Sequence, residues 1–290
     1  MSLRNAAHDL GKTLDAGATA ELDILTRAQA VADIAAAHAA TVDRDGVFPA
    51  EAIAAAKRNG LMALLVPRAL GGAGATMSEV ADVCYTLGQS CASTAMIVAM
   101  HQAALACVVR HHGDSEWHRG LLRRVASENL LLASSTTEGQ GGGNVRASSA
   151  PLVREGSRLA FARAATVMSY GAEADGIVST ARRDAEAAAS DQALVVFLKE
   201  DYKLTSTGGW DALGMRGTCS AGFALAAEAG EEQILPVGYD KIHPQTMVPV
   251  SHLAWAAAWT GIAAAAVSRA QAFVRTAARR AGGQMPPGAA

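Results

Sequence analysis

Aromatic residues and charge are both scarce in this chain. Phe, Trp and Tyr make up 4% of its 290 residues, which leaves no broad stacking platform for nucleic-acid bases. Asp, Glu, Lys and Arg make up 18% and nearly cancel, to a net −2 at pH 7. Nothing in that balance favours nucleic acid or an anionic membrane as a partner. The four cysteines, Cys84, Cys91, Cys107 and Cys219, show no CxxC spacing. They read as reduced buried thiols of a cytoplasmic protein, not as a disulfide framework. The N-terminus carries acidic residues and no apolar stretch of the kind a secretory signal needs. The longest apolar run, residues 253–267, is alanine-rich and includes Thr260 and Gly261. It falls short of the ~20 residues of a bilayer span, so it reads as a buried helix and no membrane insertion is expected.

What the chain does have is apolar residues, half of its length, enough for a sizeable core. Residues 20–42 have helical composition and stop at the turn-prone DRDG of 43–46. Pro49 and Gly60 bracket a second helix. From Ser78, the residues Val80, Val83, Cys84, Leu87 and Cys91 form one apolar face at helical spacing. Residues 94–109 are apolar nearly all round, as a central buried helix would be. Gly113 ends that helix, and Asp114 is placed to cap another through Val125.

The pattern then changes. Short apolar or alternating runs at 130–133, 152–153, 158–167, 176–180 and 193–198 are separated by Gly, Ser and Asp, the signature of a small antiparallel β unit. Residues 182–192 read as a solvated excursion between strands. Helix returns near Val250 and runs to about Arg280. The expected fold class is therefore α+β and mainly helical. An N-terminal all-helical domain covers 1–130. A central small antiparallel, barrel-like β domain covers 131–240. The start of a C-terminal helical domain, its first helix, covers 241–290. No repeat of 20–50 residues is present.

Three segments carry candidate chemistry. In ASSTTEGQGGGN, residues 133–144, Thr136 and Thr137 end a strand, and Gly139, Gly141, Gly142 and Gly143 let backbone N–H groups approach an anion or a flat ring. The loop does not open a helix within a βαβ unit, and no GK[ST] follows, so it is neither a dinucleotide fingerprint nor a P-loop. VMSYGAEAD, 167–175, follows a strand. In LGMRGT, 213–218, Arg216 sits between Gly214 and Gly217, which suits a tight turn with a fixed guanidinium. Either a structural ion pair or a ligand contact fits it. His111, His112 and His118 lie close in sequence, but no carboxylate or cysteine spacing completes a ligand set; they read as solvated, and no metal is expected. His101, within the buried helix, reads as a satisfied core residue. No GxSxG elbow supports Ser–His–Asp chemistry.

These segments, with VPRALGGAG at 66–74, resemble the acyl-CoA dehydrogenase family over roughly residues 20–280. The family carries a motif close to small-aliphatic-Ser/Thr-Glu-x-x-small-Gly-Ser/Thr-Asp. Thr137, Glu138, Gly141 and Gly142 match it; Thr136, Gly143 and Asn144 replace the aliphatic residue, the hydroxyl residue and the aspartate. The resemblance implies a flavoprotein that uses FAD. It places Ser135, Thr136 and Thr137 along the flavin pyrimidine edge, and Gly142 and Gly143 facing the cofactor pyrophosphate or a CoA chain. It also places Val167, Met168 and Ser169 against the flavin, with Ser169 near its N5. Gly143, Ser251, His252 and Arg216 are the implied substrate contacts. In the family mechanism a carboxylate base takes the α-proton of an acyl-CoA while the β-hydride goes to flavin N5. The position on the last helix where some members keep that base falls near Ser251, beside His252, and neither is a carboxylate; the later position of other members lies past Ala290.

The implied function is an FAD-dependent acyl-CoA dehydrogenase in a homo-oligomer, dimer or tetramer, passing electrons to an acceptor flavoprotein. One alternative is a flavin-dependent monooxygenase of the same fold, using reduced flavin (then FMN) supplied by a flavin reductase and needing no carboxylate base. Another is a truncated, non-catalytic chain, motivated by the stop at Ala290.

Overall fold

A computed structural model describes residues 23–139 and 144–280. Five helices come first. Helix α1, Ile24–Asp45, starts at Asp23, whose carboxylate accepts from the Leu25 N–H, and stops at Gly46 in the left-handed conformation. Its buried stripe, Ala28, Val31, Ala32, Ala35 and Val42, follows the helical period. Helix α2, Ala50–Arg58, follows Pro49 and ends before Gly60. Helix α3, Met77–Gly88, opens with a reciprocal capping box between Thr76 and Glu79. Helix α4, Ala92–His111, is buried on nearly every face, as its uniform apolarity requires. Helix α5, Glu116–Glu128, is capped by Ser115, not by Asp114: the Ser115 hydroxyl reaches the His118 N–H, while Asp114 pairs with Arg119.

Seven strands follow among the described residues: β1 Leu132–Ser135, β2 Leu152–Glu155, β3 Arg158–Met168, β4 Gly176–Arg182, β5 Gln192–Leu198, β6 Tyr202–Ser206 and β7 Ala221–Ala229. They form a three-stranded sheet ordered β1-β4-β5 and a four-stranded sheet ordered β2-β3-β7-β6. The unit is mixed where antiparallel pairing is expected throughout, because β1 runs parallel to β4. A crossover through β2 and β3, in the other sheet, separates the two in sequence and makes that direction possible. The sequence patterns above also pass over β6 and β7, although β7 is the central partner of β3. Its sequence, AGFALAAEA, alternates buried and exposed positions, but alanine carries little β signal and dilutes the alternation.

The chain then turns helical earlier than the sequence patterns suggest. A short helix α6, Tyr239–Ile242, runs through one wide turn, His243–Met247, into helix α7, Val248–Arg280. Two prolines, Pro244 and Pro249, fall in this stretch. Pro244 lies inside the wide turn, which takes it up without ending the helix, as single-turn π-bulges do, and Pro249 lies in the first turn of α7.

The core is continuous across helices and sheets. One cluster joins Val31, Leu61, Leu87 and Ile97 to Ala133, Phe161, Met168, Tyr170, Phe197 and Ala258. Helices α3 and α7 touch backbone to backbone. A Cβ on Gly88 would lie 2.4 Å from the Ala258 carbonyl oxygen, and one on Gly261 would lie 2.2 Å from that of Tyr85. Past Ala265, α7 buries no side chain fully, and Val267 and Phe273 stand exposed. By length and composition, α4 and the Tyr239–Arg280 helix are long and apolar enough to cross a bilayer. For α4, enclosure by the rest of the protein accounts for that character.

The histidines depart from expectation. His111 and His118 are buried, not solvated. The His111 Nε2 meets the Thr246 hydroxyl at 2.7 Å and the His118 Nδ1 meets that of Ser115 at 2.8 Å. The wide turn packs on α4 at His111, and residues 231–233 pack on α5 near His118, covering positions that look exposed in a linear reading. His101 is a satisfied core residue: its Nδ1 accepts from the Leu132 N–H at 2.9 Å, so its Nε2 carries the proton donated to the Met62 carbonyl at 2.8 Å. Burial pulls the His101 imidazole down from 6.5 to about 4. The folded chain thus refuses a proton that the unfolded chain accepts between those values. Stability is therefore full above pH 6.5 and falls as pH drops toward 4. From His101 alone we expect a loss of about 2 kcal/mol between pH 7.5 and pH 5. Urea unfolding at the two pH values checks this; an unchanged midpoint would refute it.

Candidate functional site

The ends of β1 and β3 open into one cleft of about 530 Å³. Ser134, Thr136, Thr137, Glu138 and Gly139 line it from the β1 side, and Thr166, Val167 and Ser169 from the β3 side. Across from them stand Met100, Ala103 and Ala104 of α4. Helix α6 supplies Tyr239, and the wide turn and α7 supply His243, Met247, Val248, Ser251, His252 and Trp255. The cleft is thus hydroxyl-bearing on its sheet side and mostly apolar on its helix side.

Strand alternation sorts the expected flavin residues. Thr136, Thr137, Val167 and Ser169 line the cleft, whereas Ser135 and Met168 do not. Both are buried the other way, Ser135 against Arg163 and Met168 in the core. Ser134, one residue from Ser135, lines the cleft instead, and a strict period of two would have found it. Gly142 and Gly143 lie outside the described residues. Ser251 and His252 line the cleft from α7. Arg216 does not: its guanidinium donates to the Asp43 carbonyl at 2.7 Å, to Asp211 at 2.8 Å and to the Ala212 carbonyl at 3.0 Å. It pins the 211–218 turn to the end of α1. Gly217 beside it has no room for a Cβ, which would fall 2.3 Å from the Val42 side chain.

The contributions of Met100, Ala103, Tyr239, His243, Met247 and Trp255 are invisible to the motif patterns. Met100 and Ala103 lie within the apolar run read as a buried helix, and the others lie on helix that begins at Tyr239, ahead of the start near Val250 that the sequence suggests.

Glu138 is the one carboxylate among the described residues of the cleft, and it is fully engaged. The Ser148 hydroxyl donates to it at 2.5 Å, the Ser149 N–H at 2.8 Å, and the Ser149 hydroxyl also reaches it. The Arg163 guanidinium, with no exposed side-chain surface, pairs with it at 2.8 Å. Burial alone pushes this carboxyl up, but the serine hydrogen bonds and the Arg163 charge outweigh it and hold Glu138 at about 2. Arg163 also donates to the Ser135 carbonyl at 2.5 Å and lies within hydrogen-bond reach of Ser179 and Thr180. This cluster ties the floor of the cleft to both sheets. His243 is pulled below its ordinary value by burial and then by the Arg146 charge.

On the β3 side, Ser169 belongs to a row of hydroxyls. Its Oγ lies 2.8 Å from that of Ser220, which lies 2.8 Å from the Thr218 Oγ1, which donates to the Met215 carbonyl at 2.9 Å. The backbone behind this row is unusual. Tyr170, Met215 and Cys219 all have positive φ, at 42°, 53° and 45°, a conformation that side chains larger than glycine adopt at a cost. Tyr170 is held there by its N–H on the Thr218 carbonyl at 2.8 Å and by its phenol on the Leu132 carbonyl at 3.1 Å.

The cleft suits a flat, amphipathic cofactor. Two strand ends offer hydroxyls and unpaired backbone at one side, and the Trp255 indole N–H, buried and without a hydrogen-bond partner among the described residues, lines the other. Such an orphaned donor fits a ring with acceptor atoms.

A family model described as "Acyl-CoA dehydrogenase, N-terminal domain" matches residues 20–129. The chain is 29% identical over 187 residues to cyclohex-1-ene-1-carbonyl-CoA dehydrogenase of Geobacter metallireducens, covering 64% of this chain and 49% of that protein. It therefore spans about half of that relative's length. Among solved structures, FMN-bound TdsC of Paenibacillus sp. A11-2, a dibenzothiophene monooxygenase, superposes with a TM-score of 0.77 at 20% identity, over 87% of this chain and 65% of that one. A chain solved in work on the electron transferring flavoprotein of Acidaminococcus fermentans superposes with a TM-score of 0.78 at 19% identity, over 92% and 70%. At these identities the two structures show a shared fold.

Proposed function

The chain belongs to the acyl-CoA dehydrogenase superfamily, and on that premise we propose that it is a flavin-dependent oxidoreductase that desaturates an acyl-CoA thioester, with FAD as its cofactor. The observation that carries the proposal is the two-sided cleft, hydroxyls on the strand ends and apolar side chains on α4 and α7. When bound there, the flavin supplies a two-electron acceptor. Thr136 and Thr137 hold its polar edge, Val167 and Ser169 meet its ring, and Trp255 offers the indole N–H from across the cleft. Met100, Ala103, Ala104 and Met247 exclude water and receive the acyl chain. Ser251 and His252 meet the thioester end. The name of the Geobacter relative, an acyl-CoA dehydrogenase type, motivates the substrate class. The acceptor is a flavoprotein partner. The exposed Leu253, Trp259, Val267 and Phe273 on α7 support assembly into a homo-oligomer.

The test is anaerobic. Protein loaded with FAD is mixed with a series of acyl-CoAs, including alicyclic ones, and the visible flavin band is followed. Bleaching by at least one acyl-CoA is the expected result. A band that survives the whole series would sink the dehydrogenase reading.

One observation favours a second reading, a monooxygenase that takes reduced FMN from a partner reductase. Glu138 is held at about 2 by four groups, so the described cleft offers no carboxylate ready to accept a proton near neutrality. Oxygen uptake on supplying reduced FMN, with no bleaching by acyl-CoA, would decide for it.

A further inference from the structure

The hydroxyl row behind Ser169 has a fixed direction. A carbonyl oxygen can only accept, so the Thr218 proton is committed to Met215, 2.9 Å away. Thr218 then has only lone pairs to offer Ser220, so the proton between them, across 2.8 Å, belongs to Ser220. Ser220 in turn has only lone pairs left for Ser169, so the proton across that 2.8 Å contact belongs to Ser169. Each hydroxyl carries one proton, and all three are accounted for. What Ser169 turns to the cleft is a lone pair.

Ser220 and Thr218 are themselves buried, so water does not compete for the row. Positive φ recurs along it: at Cys219 between Thr218 and Ser220, at Met215, whose carbonyl ends the row, and at Tyr170 directly after Ser169. The backbone is thus distorted along the row, and the Tyr170 N–H bond to the Thr218 carbonyl ties the two segments together.

We propose that Ser220 and Thr218 are positioning residues that make the cleft-facing Ser169 a hydrogen-bond acceptor, and so tune the site toward reduced flavin. This rests on the flavin reading above. Reduction adds a proton to a ring nitrogen that in oxidised flavin is bare. An acceptor hydroxyl matches the protonated nitrogen and opposes the bare one, whereas a free serine would serve both by rotating. One hydrogen bond gained in one state is worth roughly tenfold in affinity, which for a two-electron couple is about 30 mV.

Two measurements test the proposal. The first compares the affinities of wild-type protein for oxidised and for chemically reduced FMN and FAD under argon; reduced flavin is expected to bind roughly tenfold more tightly. The second follows the midpoint potential of bound flavin by dye equilibration. Ser220→Ala and Thr218→Val each free the row to reverse, so Ser169 can donate, and the potential is expected to fall by about 30 mV. Ser220→Thr, which keeps the hydroxyl, is expected to restore the wild-type value. A merely structural role for Ser220 would alter stability without moving the potential. Potentials unchanged or raised in Ser220→Ala and Thr218→Val, or equal affinity of wild type for the two flavin states, would overturn the relay and leave the flavin reading standing. Wild type that binds neither flavin state would overturn both. If the buried substitutions prevent folding, the wild-type affinity ratio alone decides.

Discussion

Replacing Arg163 with methionine is expected to destabilise the protein by about 3–5 kcal/mol, the usual consequence of stranding one member of a buried ion pair. Methionine fills much of the same volume, so the loss is electrostatic. Glu138 would stay between the sheets with two serines and no counter-charge. Its carboxyl would move up from about 2, and the Ser135 carbonyl, Ser179 and Thr180 would lose their shared donor. The pH dependence would change too. Glu138 titrates below its ordinary 4.5 in the folded chain, so its stabilising contribution is full above that value and is lost as pH falls toward 2. Arg163→Met should erase most of that contribution. Urea unfolding of the single variant, of Glu138→Gln and of the double variant forms a cycle in which the double is expected to cost less than the two singles summed. A cost below about 1 kcal/mol for Arg163→Met would show that the cluster does not hold the two sheets together. Because Glu138 and Thr137 lie next to each other on the cleft floor, the same variant should also bind flavin more weakly.

The second large effect is expected at Gly261. Substitution by valine puts a Cβ 2.2 Å from the Tyr85 carbonyl oxygen, and the obstacle is backbone, which no rotamer change can clear. Overpacking against side chains costs about 1–3 kcal/mol; forcing α3 and α7 apart should cost roughly 4 kcal/mol or more, at the upper end of single-substitution effects. Gly120 supplies the contrast. It lies within α5 with nothing inside 4 Å of its added Cβ, so Gly120→Ala should stabilise by about 0.5–1 kcal/mol through backbone entropy alone. Thermal unfolding of the two variants should move in opposite directions. A Gly261→Val protein as stable as wild type would mean that α7 does not dock on α3 as described.

The contrast between these two glycines marks what a linear sequence carries and what it does not. Gly88 and Gly261 look like the other helical glycine until the chain is folded, because their role comes from a neighbour far away in sequence. Helical faces such as Val80, Val83, Cys84 and Leu87 are legible because the helix repeats within the reach of local pattern. The TTEG segment is legible because strand end, hydroxyls and glycine are consecutive. The direction of β1 is not, since it depends on which strand lies beside it after a crossover. Nor is β7, where alanine hides a strand in helical composition. One wall of the cleft arrives with α6, the proline-containing wide turn and α7, ahead of the point near Val250 where local pattern first shows helix. Arg216 shows the opposite failure: its glycine-flanked setting does signal a fixed guanidinium, but the ligand it is fixed to is the end of α1.

The burial of the phenols has an optical consequence. Of the four tyrosines, Tyr170, Tyr202 and Tyr239 are all raised above the ordinary value of 10, chiefly by desolvation. Each therefore stays neutral in the native state where an unfolded chain would ionise it, so native stability is complete below pH 10 and drains away above it. Ultraviolet tyrosinate absorbance from these three rings consequently grows only as molecules open. In alkali the chromophores that normally report their own titration report the integrity of the fold instead.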